Sequence, residues 1–345
     1  MRRAATIKDV AAAAGVGLAT VSRVLSGTGS VSQATRDRVL AVAKELDYRP
    51  SAIGRSLKLQ RTGSIGLLVP DITDPFCAEL AAGVLDCART LGEHVILDVA
   101  HDDPEREGEI VDRLVEQRVD GIIAIPGSGD GAVWRDAARV APVVFAGRGF
   151  PGLPSVVADD RSGVRAVVEY LVGLGHRRVA FLGGHVSVAA GPEREQAFRD
   201  TLAELRVPVD DDLVVRARST ADSAFAAAAS LFQRRSDVTA VLAGSHLLGE
   251  AAVLAARGLD LRVPADVSIA MIDDIPWAEL CDPPLTVVAR PARDMGYRAA
   301  ELLLRDPARR ERGRPVVLAT ELIVRGSCGP PSGLPGGSAR SSRTR

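Results

Sequence analysis

The chain has 345 residues, 46% hydrophobic and 25% charged, which is long enough for two or three compact units and too apolar for a disordered polyelectrolyte. The formal net charge of -1 hides an asymmetry: residues 1–62 carry eleven Lys/Arg against four Asp/Glu, a net +7, leaving -8 for the remainder, so the basic end suits a polyanion. Cys77, Cys87, Cys281 and Cys328 form no CxxC pair and have no nearby histidines, which argues against a zinc site or a disulfide framework. No run approaches the roughly 18 apolar residues of a membrane span, and MRRAATIKDV has no apolar secretory core, so a cytoplasmic location is expected.

The first predicted elements lie in Thr6–Leu25, TIKDVAAAAGVGLATVSRVL. Thr6 can cap a helix through its hydroxyl, with Asp9 three residues on as the acidic partner of a capping box. Ile7, Val10, Ala11 and Ala14 then recur at helical spacing, and Gly15 ends the helix where a left-handed residue is cheap. Val21, Val24 and Leu25 give a second short helix its own apolar side, while Leu18, Ala19, Ser22 and Arg23 face outward. Ala11, Gly15 and Val21 fall at the small, turn and core positions of a helix-turn-helix, a pattern an arbitrary helical hairpin can share. Ser32 starts a third helix, with Val39, Ala43 and Leu46 on one face, and the segment closes at Tyr48-Arg49-Pro50.

TIKDVAAAAGV, TVSRVL and VSQATRDRVLAVAKELDYRPSAIGRSLK, in that order, resemble the DNA-binding headpiece and hinge of the lactose-repressor (LacI/GalR) family of bacterial transcription regulators. The resemblance implies that residues 51–62 form a hinge helix only on operator DNA, where Leu57, with Arg55 beside it, wedges into the minor groove. On its own such a short segment is mostly unfolded, and Gly54, where the family commonly has alanine, costs a helix about 1 kcal/mol.

From Ser64 the apolar period changes. SIGLLVP, HVILDVA, DGIIAIP, VAFLGG, LVVRA, TAVLAG, VSIAMID and VVLATELIV read as strands. Helices at Phe76–Leu91, Pro104–Gln117, Gly163–Leu174, Glu193–Leu205, Ala221–Gln233 and Leu247–Arg257 alternate with them. Such alternation means parallel sheets covered on both faces, with ligands beyond the carboxyl ends of the strands. ADDRSG, LGHRRVAFLGG, PEREQAFRDTL, LRVPADVSIAMIDDIP, PPLTVV and ELIVRGSC also occur in family order, extending the resemblance over about residues 6–328. The implied fold is an all-α helix-turn-helix headpiece (1–50), a hinge (51–62) and an α/β periplasmic-binding-protein-like core (63–328). That core has two subdomains with parallel sheets, about 63–160 plus 291–328 and about 161–290. Residues 329–345, rich in Gly, Pro, Ser and Arg, are expected to be a disordered tail without leucine heptads for a tetramer.

By motif position, the resemblance places Phe76, Asp159, Arg194, Asp273 and Trp277 toward an effector in the cleft, together with Ser245 and His246. Carboxylates and a guanidinium can fix hydroxyls, and an aromatic face can cover an apolar ring. Arg194 can equally serve a surface ion pair, Asp273 a turn cap, and Phe76 and Trp277 plain packing. Ser245-His246 stands where the family commonly has Asn-Asp, and Arg218-Ser219 where a stacking aromatic is frequent, so a sugar, a phosphorylated or nucleoside-like effector, or none, all stay open. His176, in Gly175-His176-Arg177-Arg178, precedes a strand without a nucleophile partner and is expected to pack a loop. No GxSxG, Walker loop or HExxH is present, so neither an enzyme nor a cofactor is expected.

The expected function is a ligand-responsive repressor that binds a palindromic operator in double-stranded DNA as a homodimer, without membrane association. Leu18, Ala19 and Arg23 read bases, Thr20, Ser22, Ser32 and Thr35 hold the phosphate register, and Thr6 is counted with the DNA-binding residues. The alternatives are control by a partner protein and, in a different class, a solute-binding protein of transport.

Overall fold

The computed structural model describes residues 5–26, 29–48, 61–127, 131–150, 152–184, 191–218, 220–307, 310 and 313–332. The chain divides into two compact units, Met1–Gly63 and Ser64–Arg345.

The first unit holds helices α1 (Ile7–Ala14), α2 (Leu18–Ser26) and α3 (Gln33–Glu45). The capping box forms as the sequence predicts: the Thr6 hydroxyl accepts from the Asp9 amide, and the Thr6 amide donates to Asp9 Oδ2 at 2.7 Å. Gly15 takes φ 64°, the left-handed turn that lets α2 fold back. Val10, Ala11, Ala14, Val21, Val24, Val39 and Ala43 make the core. Leu46 leaves the predicted buried face because α3 ends before it, and it sits 36% exposed as the C-cap.

The second unit runs β1 (Ser64–Val69), α4 (Pro75–Leu91), β2 (His94–Val99), α5 (Pro104–Glu116), β3 (Ile122–Ala124), α6 (Ala132–Ala137), β4 (Val143–Ala146) and β5 (Ser155–Ala158). It continues through α7 (Asp160–Gly173), β6 (Val179–Gly184), α8 (Gly191–Glu204), β7 (Val214–Ala217), α9 (Ala221–Arg234), β8 (Ala240–Ala243) and α10 (His246–Gly258). The last described elements are β9 (Ser268–Ile272), α11 (Pro276–Leu280), β10 (Thr286–Ala289), α12 (Ala292–Arg305), β11 (Val316–Leu318) and β12 (Glu321–Ile323). Two six-stranded sheets result, ordered β11-β5-β4-β3-β1-β2 and β12-β10-β9-β8-β6-β7. The pairing is parallel apart from β12, which runs antiparallel to β10. Apolar helix faces cover the sheets, as the strand-helix alternation requires.

Two expectations change here. VVLATELIV, read as one strand of the first half, is divided: β11 pairs with β5, the chain crosses at Ala319-Thr320, and β12 joins the other sheet. No glycine or proline marks the break; it is held by Thr320 Oγ1 donating to the Asp159 carbonyl at 3.1 Å. The ordered chain also continues past Cys328. The Gly329 amide donates to Ser268 Oγ at 3.0 Å, and its carbonyl faces His176 Nε2 at 2.9 Å. Residues 333–345 lie outside the described residues.

Helices α4 and α12 cross with their backbones nearly touching. A Cβ built on Gly296 would lie 1.9 Å from the Leu80 carbonyl oxygen, and one on Gly83 would lie 1.9 Å from that of Arg293. Only glycine permits this approach, which docks α12 on the first sheet although it follows a strand of the second.

Candidate functional site

In the first unit, Val21 and Val24 turn into the core, which leaves the opposite face of α2 to solvent. Leu18 is 46% exposed, Ala19 and Arg23 are exposed, and Thr20 and Ser22 are half-buried between them. The helix carries no acid in its first turn, so its positive end is uncompensated by side chains, as suits an anionic partner. Ser32 caps α3, accepting from the Thr35 amide, with the two hydroxyls 2.9 Å apart. Thr6 is engaged with Asp9 through both its amide and its hydroxyl, so its structural role is to start α1. Arg55 and Leu57 lie outside the described residues.

In the second unit, a cavity of about 540 Å³ opens at the carboxyl ends of both sheets. Its lining includes Asp71, Asp74 and Phe76 after β1, His101 and Asp102 after β2, and Arg148 after β4. Arg194 of α8, Arg218 after β7, Ser245 and His246 after β8, Asp273 after β9 and Arg290 after β10 line the other parts. Five predicted residues therefore meet here: Phe76, Arg194, Ser245, His246 and Asp273.

Asp273 is the centre of charge. It takes Arg290 Nε and Nη2 on one oxygen at 2.6 Å, with side chains only 5% and 8% exposed. Burial alone would raise its pKa, but the Arg290 charge, His246 and Arg194 hold this carboxyl well below the usual range. Its backbone sits at φ 83°, a strained setting for a non-glycine residue and common at functional sites. The Arg290 guanidinium in turn lies 3.7 Å from the Phe76 ring centroid, a cation-π contact between the two halves of the core. His246 Nδ1 is 3.6 Å from Asp273 Oδ2, a charge contact too long for a hydrogen bond. Burial depresses an imidazole, but Asp273 and Asp74 outweigh it and raise His246 above its ordinary value. Ser245 caps α10 through its hydroxyl. Arg194 is buried, donating Nε to Asp160 Oδ2 and Nη1 to the Gly244 carbonyl, both at 2.7 Å.

Asp159 and Trp277 are corrections. Asp159 does not line the cleft; its carboxylate caps α7 by accepting from the Ser162 amide, and its own amide donates to the Leu318 carbonyl. Its neighbour Asp160, in the first turn of α7, turns inward instead and pairs with Arg194, which does line the cleft. Trp277 on α11 packs against the apolar core of the second sheet. His176 is buried, its ring nitrogens 2.9 Å from Thr239 Oγ1 and the Gly329 carbonyl, the loop-packing role its sequence setting predicts.

The family profile described as "Bacterial regulatory proteins, lacI family" matches residues 6–51, and that of a periplasmic binding protein-like domain matches residues 168–328. The HTH-type transcriptional regulator DegA of Bacillus subtilis is 36% identical over 332 residues, spanning 94% of this chain and 98% of its own. The chain belongs to the lacI family of bacterial regulatory proteins. As a lacI-family member it is a DNA-binding, helix-turn-helix transcription regulator, which sets aside the transport reading. Two solved structures of such regulators match in fold. The transcriptional regulator CelR in complex with cellobiose has a TM-score of 0.72 at 34% identity, covering 94% of this chain and 99% of that one. The lac repressor dimer bound to operator and an anti-inducer has a TM-score of 0.86 at 26% identity, covering 95% of this chain and 100% of that one.

For this lacI-family chain, motif position finds some cleft residues and misses others. Arg290 and Arg148, and Asp160 behind Arg194, escaped notice because their roles depend on contacts distant in sequence. Glu107 also carries no local signal: its buried carboxylate accepts from the Gly127 amide at 2.6 Å and from Trp134 Nε1 at 3.2 Å. Arg148 Nη1 holds the Gly127 carbonyl from the other side at 2.7 Å. Together they fix the loop after β3, which forms part of the cleft wall. Among the described residues no helix is long and apolar enough to cross a membrane, and no side-chain cluster suits a metal ion.

Proposed function

We propose that this regulator acts as a repressor on a near-palindromic operator as a homodimer, and that a small metabolite, a sugar or sugar-like compound, controls it from the cleft. It works by binding rather than catalysis, without a cofactor, in the cytoplasm. The observation that carries the DNA half is the outward face of α2, where Leu18, Ala19 and Arg23 stand exposed opposite the buried valines. Leu18 and Ala19 suit thymine methyls, and Arg23 supplies the hydrogen bonds to a base edge. Thr20, Ser22, Ser32 and Thr35 provide hydroxyls for phosphates, and Arg55 with Leu57 is assigned the minor-groove wedge. A two-fold dimer reads two half-sites about one helical turn apart, or a multiple of it, and the lac repressor with which this chain shares its fold is a dimer bound to operator.

The effector half rests on convergence. Side chains from both sheets meet in one cavity, so an occupant touching Phe76 and Asp273 together biases the angle between the halves by its differential affinity. Selection of bound fragments from random duplex DNA tests the proposal. The expected product is an inverted repeat protected by a dimer. A monomeric protein with no preference over random competitor at moderate salt would overturn it.

A further inference from the structure

The two walls of the cleft present opposite chemistry. On the wall built from the first sheet, Asp71 and Asp74 each use one carboxylate oxygen locally, on Thr73 and on the amides of Phe76 and Cys77. Asp102 beside them has no side-chain hydrogen bond among the described residues, and burial together with the Asp74 and Asp71 charges raises its pKa. This wall offers acceptors.

The wall built from the second sheet offers donors in surplus. Arg194 Nη2 lies 2.7 Å from the Asp160 oxygen already bonded to Nε but without hydrogen-bonding geometry, so that buried N–H has no acceptor of its own. His246 Nδ1 is likewise buried without a hydrogen-bond partner among the described residues. Behind Arg194, Asp160 Oδ1 is buried without a hydrogen-bond partner among the described residues. Arg218 completes the set. Its amide donates to Ser223 Oγ at 3.0 Å and its carbonyl accepts from Thr220 at 2.8 Å, which fixes the backbone, while its exposed guanidinium has no acidic partner among the described residues. The N-termini of α8, α9 and α10 end on the same wall through Gly191, Ala221 and His246, adding partial positive charge.

The Arg290 and Arg194 charges are paired with Asp273 and Asp160, whereas Arg218 makes no ion pair among the described residues. A neutral occupant would desolvate Arg218 without an ionic partner, whereas an anion replaces the lost water with a charge-assisted, bidentate contact. Resting on the cleft as the metabolite site, we propose that its occupant is an anionic polyol. Its phosphate or carboxylate is held by Arg218, Arg194 and His246, and its hydroxyls by Asp71, Asp74 and Asp102.

The test uses the full chain at constant ionic strength, titrated by calorimetry and thermal shift. The probes are neutral hexoses and disaccharides, their phosphate esters, and the matching uronic and aldonic acids. Saturable binding is expected among the anionic probes and not their neutral parents, the phosphate and carboxylate arms showing which anion is preferred. Arg218→Ala should weaken it by about ten- to a hundredfold, with Arg218→Lys restoring part of the loss. Because Arg218 is exposed, both variants should melt, ligand-free, with the parent. The proposal is overturned if a neutral sugar binds as tightly as its charged forms, or if anion binding is indifferent to Arg218→Ala; either result leaves a metabolite-controlled repressor standing. Silence from every probe, with DNA affinity unmoved, overturns both readings.

Discussion

Replacing Asp273 by alanine should cost the core far more than its ligand contacts. The carboxylate is 5% exposed and its partner Arg290 8%, so the substitution strands a buried guanidinium held against Phe76. Breaking one side of such a pair costs about 3–5 kcal/mol, since the remaining charge keeps its desolvation penalty and loses its counter-ion. A unit this size unfolds with an entropy of roughly 0.6 kcal/mol/K, so the expected fall in Tm is about 5–8 °C. Calorimetric melting of the full chain measures it. Asp273→Ala/Arg290→Met, which removes both charges and keeps apolar volume, should recover at least half of the loss. Asp273→Asn keeps an acceptor for Arg290 and should fall between, which makes it the better variant for reading effector response. An Asp273→Ala protein melting within about 1 °C of the parent, or a double variant less stable than the single, would refute the buried-pair reasoning.

Three further outcomes are expected. Arg23→Ala should lower operator affinity by about 5- to 150-fold, corresponding to the ~1–3 kcal/mol of one bidentate base contact, with little change on non-specific DNA; equal losses on both would contradict base readout. His246, with its pKa raised by Asp273 and Asp74 against the effect of burial, stabilises the core fully below about pH 6.5 and loses that contribution as pH rises through the elevated value. The Tm advantage of the parent over His246→Gln should therefore shrink from about pH 6 to about pH 9, and a constant difference would reject the assignment. Gly296→Ala must push α12 off the Leu80 carbonyl and should cost about 1–3 kcal/mol or more in a denaturant titration, an unchanged midpoint contradicting the close crossing.

Local chemistry made the first unit legible: Thr6 with Asp9, Gly15 and the valines at helical spacing each specify their element within a few residues, and all take the predicted places. The βα alternation was equally readable, because burial on both faces demands continuous apolar strands. Short pieces such as β4, β5 and α6 carry too few residues for any period to register. Side chains that follow strand ends, Phe76, Arg194, His246 and Asp273, were found because motif position places them at the cleft. Asp159 was mistaken for its neighbour because one residue of helical rotation, about 100°, separates a cap from an inward carboxylate.

The sequence by itself determined the longer helices and strands, and that a basic three-helix unit precedes an α/β core, since those choices depend on neighbours a few positions away. Only the tertiary structure decided that Arg290 pairs with Asp273 under Phe76, that residues 316–324 serve two sheets, and that Glu107 and Arg148 hold one peptide between them. Those contacts join groups far apart along the chain, and their strength comes from exclusion of water, which exists only once the sheets and helices have packed.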